Sequence, residues 1–229
     1  MQFFFVRHDG VWKFSEFGQA PVDGVRFYRR AGWSDTEVDE YRTRFGDFGK
    51  MIHPLPDSFV RLTDGQMLRI GDQEWEVIVG TGHSPEHACF YSRELDLLIS
   101  GDQVLPRISS NTSVYATEPH ANPLQGWLDS IDRLLQRVPG SALILPAHNE
   151  PFHGLHLRLE QLRASTVRGT DRVRQQLVQP LRVIDLVRAL YRSSIVAEQM
   201  HLNLATGETL AHLNYLDQRG EIVSAEDED

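Results

Sequence analysis

The spacing of hydrophobic residues changes along the chain. Up to about residue 50, aromatic and charged residues are mixed, and helical spacing over 25–30 and 36–44 predicts helices without paired strands. Between 59 and 145, short β-branched and aromatic runs are separated by Gly, Pro, Asp and Asn, which is typical of strands joined by turns. Beyond Pro151 the spacing is helical again. These changes predict a strand-rich centre followed by a helical C-terminal region.

The strand-rich centre contains a predicted hairpin, further strands and one helix. Residues 69–75 have the pattern of a hairpin with Gly71 and Asp72 at the bend. Strands are predicted over 75–79, 88–92, 97–100 and 143–145. The segment 124–137 has apolar residues at helical spacing, so it is predicted to be a helix that presents one apolar face to a sheet.

The C-terminal region has the pattern of one long helix and a compact helical unit. The long arginine-rich helix is predicted over 155–178 with an interruption near Gly169, and Pro180 marks a break. The unit after the break is predicted to contain a helix, a short segment, a second helix and a short strand: 181–191, 198–202, 207–218 and 221–223. Thr206 is a predicted N-cap of the second helix, and Gly220 is predicted to end it.

Composition narrows the possible chemistry and the cellular location. The chain has 229 residues, a formal net charge of −9 and one cysteine, Cys89. A disulfide within the chain and a zinc site built from several thiolates are excluded, so a metal would need histidine and carboxylate ligands, and a reducing cytoplasm is expected. No apolar run reaches the roughly 18–20 residues of a membrane span, and no secretory signal is recognisable, so no membrane contact is expected.

Three predicted strands end in a potential metal ligand. His83 follows the strand that ends at 79, Asp102 follows the strand 97–100, and His148 follows the strand 143–145. Gly82 and Gly101 directly precede two of these ligands and fit turns that avoid a side-chain clash. Two imidazoles and one carboxylate suit zinc, with iron or manganese as further possibilities. Each residue alone is also explained as an ordinary loop residue, so the shared placement is what favours a metal site.

The motifs around these residues resemble those of a known family. Residues 81–87 (TGHSPEH), 100–102 (SGD) and 146–148 (PAH) resemble, in order, the third, fourth and fifth motifs of the metallo-β-lactamase superfamily. The resemblance covers roughly residues 59–156. It implies an α/β fold, the αββα metallo-β-lactamase sandwich with an incomplete N-terminal half, followed by a small C-terminal winged-helix-like helical domain.

The resemblance implies roles for individual residues. His83 is expected to bind the first of two zinc ions, Asp102 to bridge both ions as the catalytic residue, and His148 to bind the second. His87 is expected to support the site rather than to bind metal. Arg107 follows Asp102 closely and is expected to meet an anionic group of the substrate, or alternatively to pair with a structural carboxylate.

One motif of the family is missing from the chain. Relatives normally carry an HxHxDH run upstream, and this sequence contains none. The nearest fragment, at 6–10 (VRHDG), is interpreted as a simple turn or, less favourably, as a degenerate remnant. A late start codon, a truncated gene and a divergent member are alternative explanations, of which we favour the first two. Without this motif we expect weak metal binding and little hydrolysis.

The expected function is metal-dependent hydrolysis of an ester, thioester, lactone or related bond in a small-molecule substrate. A catalytically inactive scaffold of the same fold is one alternative. Nucleic-acid binding through the winged-helix-like tail is another, but the charges there cancel, so it is not expected. The balancing residues are Arg182, Arg188, Arg192 and Arg219 against Asp185, Glu198, Glu208 and Asp217. The tail is instead expected to cover the rim of the active site or to mediate a homodimer.

The patterns also predict domain boundaries. A partial metallo-β-lactamase-like domain is placed at 1–156 and a linker helix at 157–179. The winged-helix-like domain is placed at 180–224, and an acidic, frayed tail at 225–229.

Overall fold

The computed structural model describes residues 6–8, 11–13, 19–47 and 59–225. Their elements, in chain order, are β1 (Val6–His8), β2 (Val11–Lys13), α1 (Val22–Arg30), α2 (Asp35–Arg44), β3 (Met67–Ile70), β4 (Gln73–Gly80), β5 (His87–Ser92), β6 (Leu97–Gly101), α3 (Pro123–Arg137), β7 (Leu143–Pro146), α4 (Leu155–Gln176), α5 (Val183–Leu190), α6 (Ser193–Val196) and α7 (Gln199–Gln218). The fold is mixed α/β, as the sequence predicts.

The central sheet has the strand order β3-β4-β5-β6-β7. Neighbours from β3 to β6 are antiparallel, whereas β6 and β7 are parallel and are joined through α3. The predicted hairpin forms between β3 and β4, with Ile70 opposite Gln73. The predictions of strands at 88–92, 97–100 and 143–145 are confirmed to within a residue or two.

Helices α3 and α4 cover one face of this sheet. Asn122 caps α3 by accepting a hydrogen bond from the Gln125 amide at 3.1 Å, and Pro123 occupies the first turn, where its missing N–H costs nothing. The apolar stripe of α3 then packs on buried strand residues. This core includes Ile78, Leu98, Ile144, Trp127, Ile131, Leu134, Leu155 and Leu159. The prediction that 124–137 presents an apolar face to a sheet is confirmed.

The N-terminal helices pack on the C-terminal helices. The predictions of helices over 25–30 and 36–44 are confirmed by α1 and α2, and Ser34 with Glu37 forms a capping box at the start of α2. A second core joins residues of α1, α2, α5 and α7: Val25, Tyr28, Ala31, Trp33, Val38, Ile184, Val187, Leu202 and Ala205. The helical region is therefore built from both ends of the described chain.

The expectation of no paired strands near the N-terminus is wrong. The backbones of β1 and β2 pair antiparallel, with His8 opposite Val11. The fragment at 6–10 therefore contains a strand over 6–8. Asp9 and Gly10 themselves lie outside the described residues.

The long helix α4 has no interruption at Gly169. The glycine instead allows a close approach, because a Cβ atom there would lie 3.0 Å from the His212 imidazole of α7. Sequence periodicity contains no information about such a contact between helices, so the prediction of a break at this glycine is wrong.

Helix α7 also differs from its prediction. It runs without a break through the segments 198–202 and 207–218, and Thr206 lies in its buried middle instead of capping a new helix. Thr206 accepts a hydrogen bond from Trp33 Nε1 at 3.1 Å and donates one to the Leu202 carbonyl at 2.8 Å, which satisfies its hydroxyl inside the helix. Gly220, with φ +69°, follows the end of α7 as predicted.

The predicted strand at 221–223 is wrong, because these residues form a bend and an irregular segment. Between 180 and 224 the structure describes helices and no strand, so the wing of a winged helix is not seen in this part of the chain. None of the described helices combines the length and the apolar composition needed to cross a membrane.

Candidate metal centre

The sheet topology brings the three predicted ligands to one edge. Strands β4 and β6 are both antiparallel to β5, and β7 is parallel to β6, so β4, β6 and β7 run in the same direction. Their C-terminal ends therefore lie at one edge of the sheet. His83, Asp102 and His148 follow these three ends, each within a few residues of its strand.

The carboxylate of Asp102 lies between the two imidazoles. Its Oδ2 atom is 3.8 Å from His83 Nε2, and its Oδ1 atom is 3.3 Å from His148 Nε2. Two ligand atoms on one tetrahedral zinc ion are separated by about 3.3 Å when each bond is about 2.0–2.1 Å long. The spacing between Asp102 and His148 matches this value, the spacing between Asp102 and His83 is about 0.5 Å longer, and each carboxylate oxygen faces a different imidazole.

A backbone contact sets the orientation of His83. Its Nδ1–H donates a hydrogen bond to the Asn111 carbonyl at 2.8 Å. A carbonyl oxygen only accepts, so Nδ1 carries a proton, and in the neutral tautomer this leaves the Nε2 lone pair on the side of Asp102. Metal-binding histidines are commonly held in this way. Asn111 was not predicted from the sequence, because a backbone carbonyl acting across a loop leaves no signature in residue type.

Two glycines permit the tight turns around the site. Gly82 has φ +101° and Gly101 has φ +53°, both in the left-handed region. A Cβ atom on Gly82 would lie 2.7 Å from the backbone nitrogen of Trp127, and one on Gly101 would collide with His87 Nε2. The predicted turns before His83 and Asp102 are confirmed, and side chains are excluded at both positions.

The imidazole of His87 lies beside the site at the start of β5. Its ring centroid is 6.0 Å from that of His83. Burial lowers the pKa of His87, the nearby His83 ring lowers it further, and the charge of Asp102 opposes both effects. A neutral imidazole against Gly101 is compatible with a supporting role, which stays a prediction.

The exposure of the three side chains differs. Asp102 and His83 are 14% and 17% exposed, whereas His148 is 63% exposed. Ser110 donates a hydrogen bond to the Asp102 backbone carbonyl and so holds the following loop against the site. The carboxylate and one imidazole are thus fixed by the fold, and the second imidazole faces solvent.

Arg107 forms an ion pair in the structure. Its Nε donates to Glu150 Oε1 at 3.0 Å, and both side chains are exposed. This is the structural pairing that was the alternative expectation for Arg107. A contact between Arg107 and substrate would require this ion pair to open.

The described residues do not form a complete site for one ion. Within the ranges that the structure describes, no group of three or more His, Cys, Asp or Glu side chains is arranged to hold a metal ion. Each side of Asp102 offers one imidazole nitrogen and one carboxylate oxygen. The donor types fit zinc, but catalytic zinc usually has three protein ligands and an open position.

The mixed α/β fold, with candidate ligands at three strand ends, defines the class of protein, and the comparisons identify its family. Residues 10–148 match the model of the metallo-beta-lactamase superfamily, and residues 170–229 match the model described as metallo-beta-lactamase-like, C-terminal domain. The chain belongs to the metallo-beta-lactamase superfamily.

Solved structures of similar proteins support the same fold. A beta-lactamase domain protein from Burkholderia ambifaria is 35% identical, with a TM-score of 0.71, and the match covers 86% of this chain and 55% of that one. A metallo-beta-lactamase family protein from Thermus thermophilus is 27% identical, with a TM-score of 0.68, over 86% of this chain and 59% of that one.

One similar protein has a named activity. The atrochrysone carboxyl ACP thioesterase of Aspergillus fumigatus is 27% identical over 163 residues, which is 67% of this chain and 36% of the thioesterase. The chain thus spans between 36% and 59% of the length of these three relatives.

Proposed function

We propose that this chain serves metal-dependent hydrolysis of an ester, thioester, lactone or related bond in a small-molecule substrate. The observation that carries the proposal is the Asp102 carboxylate, which lies between two imidazoles at distances of 3.8 and 3.3 Å. Superfamily membership supports a hydrolytic reaction, and the named activity of the fungal relative favours a thioester.

In this proposal Asp102 would be shared by two metal ions, and His83 would help to hold the first and His148 the second. A divalent ion supplies water of lowered pKa for the attack and positive charge for the developing oxyanion. The Asn111 carbonyl keeps His83 Nε2 directed at the site, and His87 stays neutral so that it adds no positive charge. Zinc is the ion best suited to this donor set, and iron or manganese is also compatible with it.

The number of ligands determines how tightly metal binds. A dinuclear centre divides about six or seven ligands between its ions. The described residues contribute two imidazoles and one shared carboxylate, so each ion would have few protein ligands. We therefore propose that this chain binds zinc weakly and hydrolyses substrate slowly.

A zinc titration of the metal-free chain by calorimetry tests this proposal. We expect a dissociation constant above about 1 μM, which corresponds to less than ~8.2 kcal/mol of binding free energy. This is below the ~10–16 kcal/mol of complete structural zinc sites. Tight binding of two ions per chain would overturn the proposal of an incomplete site.

Paired variants test the role of the carboxylate. Asp102→Asn should abolish the zinc-binding heat because it removes the shared charge, whereas Asp72→Asn, in the exposed β3–β4 turn, should leave it unchanged. With zinc in excess, release of thiol from an acyl N-acetylcysteamine thioester should be slow in the wild type and absent in Asp102→Asn. Equal zinc binding by the wild type and Asp102→Asn would rule out the proposed site.

A further inference from the structure

A polar cavity separate from the metal centre lies between the sheet region and the C-terminal helices. Its volume is about 200 Å³, and it is lined by the loop 109–112, the start of α3, and residues of α4, α5 and α7. Sites for drug-sized ligands occupy about 300–1,000 Å³, so this cavity suits a smaller molecule. Junctions between packed units are common places for such sites.

A cation and a carboxyl group line this cavity without pairing. Arg172 of α4 is exposed and forms no hydrogen bond or ion pair with any other residue in the described ranges. By contrast, Arg174 on the same helix pairs with both Asp171 and Glu221. Arg172 therefore keeps its guanidinium available to an anion at the cavity.

Glu208 of α7 lines the cavity as a half-buried carboxyl group. Its Oε2 accepts a hydrogen bond from the Tyr191 hydroxyl at 3.0 Å. Burial raises the pKa of Glu208, while Tyr191 and the charge of Arg172 act in the opposite direction. Oε2 has its donor in Tyr191, so the second carboxyl oxygen is the atom that can receive a donor group from a ligand.

His212 adds no positive charge to the cavity at neutral pH. It is buried, and its Nδ1 shares a hydrogen bond with Thr170 Oγ1 at 2.9 Å. Burial lowers the pKa of His212 to about 4, and the charge of Arg172 contributes to this. Arg172 is thus the charged cation among the described residues that line the cavity.

The rest of the wall is part apolar and part hydroxyl. The apolar side chains are those of Leu124, Trp127, Leu162, Val173 and Leu190, and the hydroxyls are those of Ser109, Ser110, Thr112, Ser165 and Thr166. Such a lining suits a ligand with a short aliphatic chain of a few carbons and with polar groups at the ends or along the length of that chain.

The cavity and the candidate metal centre lie on opposite sides of one loop. Ser110 and Thr112 line the cavity, whereas the carbonyl of Asn111, between them, holds His83. The same loop is attached to α7, because the Val114 amide donates to the Gly207 carbonyl at 3.0 Å. A ligand in the cavity therefore does not need the metal centre in order to bind.

We propose that this cavity binds a small aliphatic carboxylic acid that carries a hydroxyl or amino group. The carboxylate pairs with Arg172, and the hydroxyl or amino group donates to Glu208. This site is independent of the metal-dependent hydrolysis proposed above.

Calorimetry on the whole chain, with EDTA present to exclude binding through metal, tests the site with three probes. Sodium 3-hydroxybutyrate and 3-aminobutyrate should bind saturably and about tenfold more tightly than sodium butyrate, which lacks the donor group. Absence of saturable binding by both substituted acids would overturn the proposal.

Variants of the two charged residues separate the contacts. Arg172→Gln should weaken binding of the substituted acids by ~10- to 100-fold, whereas Arg168→Gln, one turn earlier on the exposed surface of α4, should leave it unchanged. Equal affinity of Arg172→Gln and the wild type would contradict the proposal. Arg172 is exposed, so this result does not depend on a change in folding.

Replacement of Glu208 by an apolar residue of similar size tests the donor contact. Glu208→Met should bind 3-hydroxybutyrate and butyrate equally, because the acceptor for the hydroxyl is gone. Circular dichroism checks that the helices are retained. A persistent tenfold preference for 3-hydroxybutyrate in a folded Glu208→Met variant would show that Glu208 is not the contact.

Discussion

The strand-end site and the helical region hold their buried polar groups in different ways. In the helical region, polar side chains form separate pairs between helices or between a helix and its neighbouring segment: Trp33 with Thr206, Thr170 with His212, and Tyr191 with Glu208. At the strand ends, two imidazoles face the two oxygens of one carboxylate, that of Asp102. Each pair in the helical region joins one donor to one acceptor, whereas one carboxylate between two imidazoles is the arrangement expected around cations.

Truncation of the sheet core should give the largest loss of stability. Leu98 is fully buried in β6, the strand that leads to Asp102, so Leu98→Ala should lower the free energy of unfolding by ~2–5 kcal/mol. Leu157→Ala on the exposed side of α4, where the side chain is 68% exposed, should cost less than about 0.5 kcal/mol. Urea denaturation measures both, and similar losses would contradict the assignment of Leu98 to the central core.

The pH dependence of stability should distinguish the buried histidine of the helical region. His212 has a folded-state pKa of about 4, against an ordinary value of 6.5, because it is buried and Arg172 is near. Between these pH values the unfolded chain binds more protons than the folded chain, so the stability due to neutral His212 is complete above about pH 6.5. It is lost as the pH falls toward 4, by an amount of the order of 3 kcal/mol.

The variant His212→Asn isolates this contribution, because an amide can keep a hydrogen bond to Thr170 without titrating. Thermal unfolding of both proteins from pH 7 to pH 4 measures the difference in slope. A parallel fall in stability in the two proteins would show that His212 is not responsible, and another group whose pKa is lowered in the folded chain, such as His87, would then account for the slope.

The smallest effect concerns a single hydrogen-bonded pair. Trp33 and Thr206 join the segment between α1 and α2 to the middle of α7. A double-mutant cycle with Trp33→Phe and Thr206→Val should give a coupling energy of about 0.5–1.5 kcal/mol. The same cycle between Trp33→Phe and Ser130→Ala, in the sheet region, should give a coupling near zero. Equal coupling in both cycles would show that the pair is not specific.

Periodicity predicted the helix and strands of the strand-rich region well, because the spacing of apolar residues within each element determines its type. Alternating and helical apolar spacing gave β4 to β7 and α3 within a residue or two, since each element buries one face on its neighbours. The sequence patterns were misleading at Gly169, where they predict an interruption of a helix, and at Thr206, where they predict the N-cap of a new helix. Both residues are explained by a partner on another element, His212 and Trp33.

The sequence by itself determined which motif follows each strand and which residue types make up the candidate site. Strand patterns and ligand chemistry are local properties, so they can be read from the sequence. Only the tertiary structure decided that the ends of β4, β6 and β7 share one edge, that a backbone carbonyl orients His83, and that Arg107 pairs with Glu150. These features depend on contacts between residues that are distant in the chain. The cavity at Arg172 and Glu208 also depends on such contacts, because local sequence patterns do not predict which helices pack together.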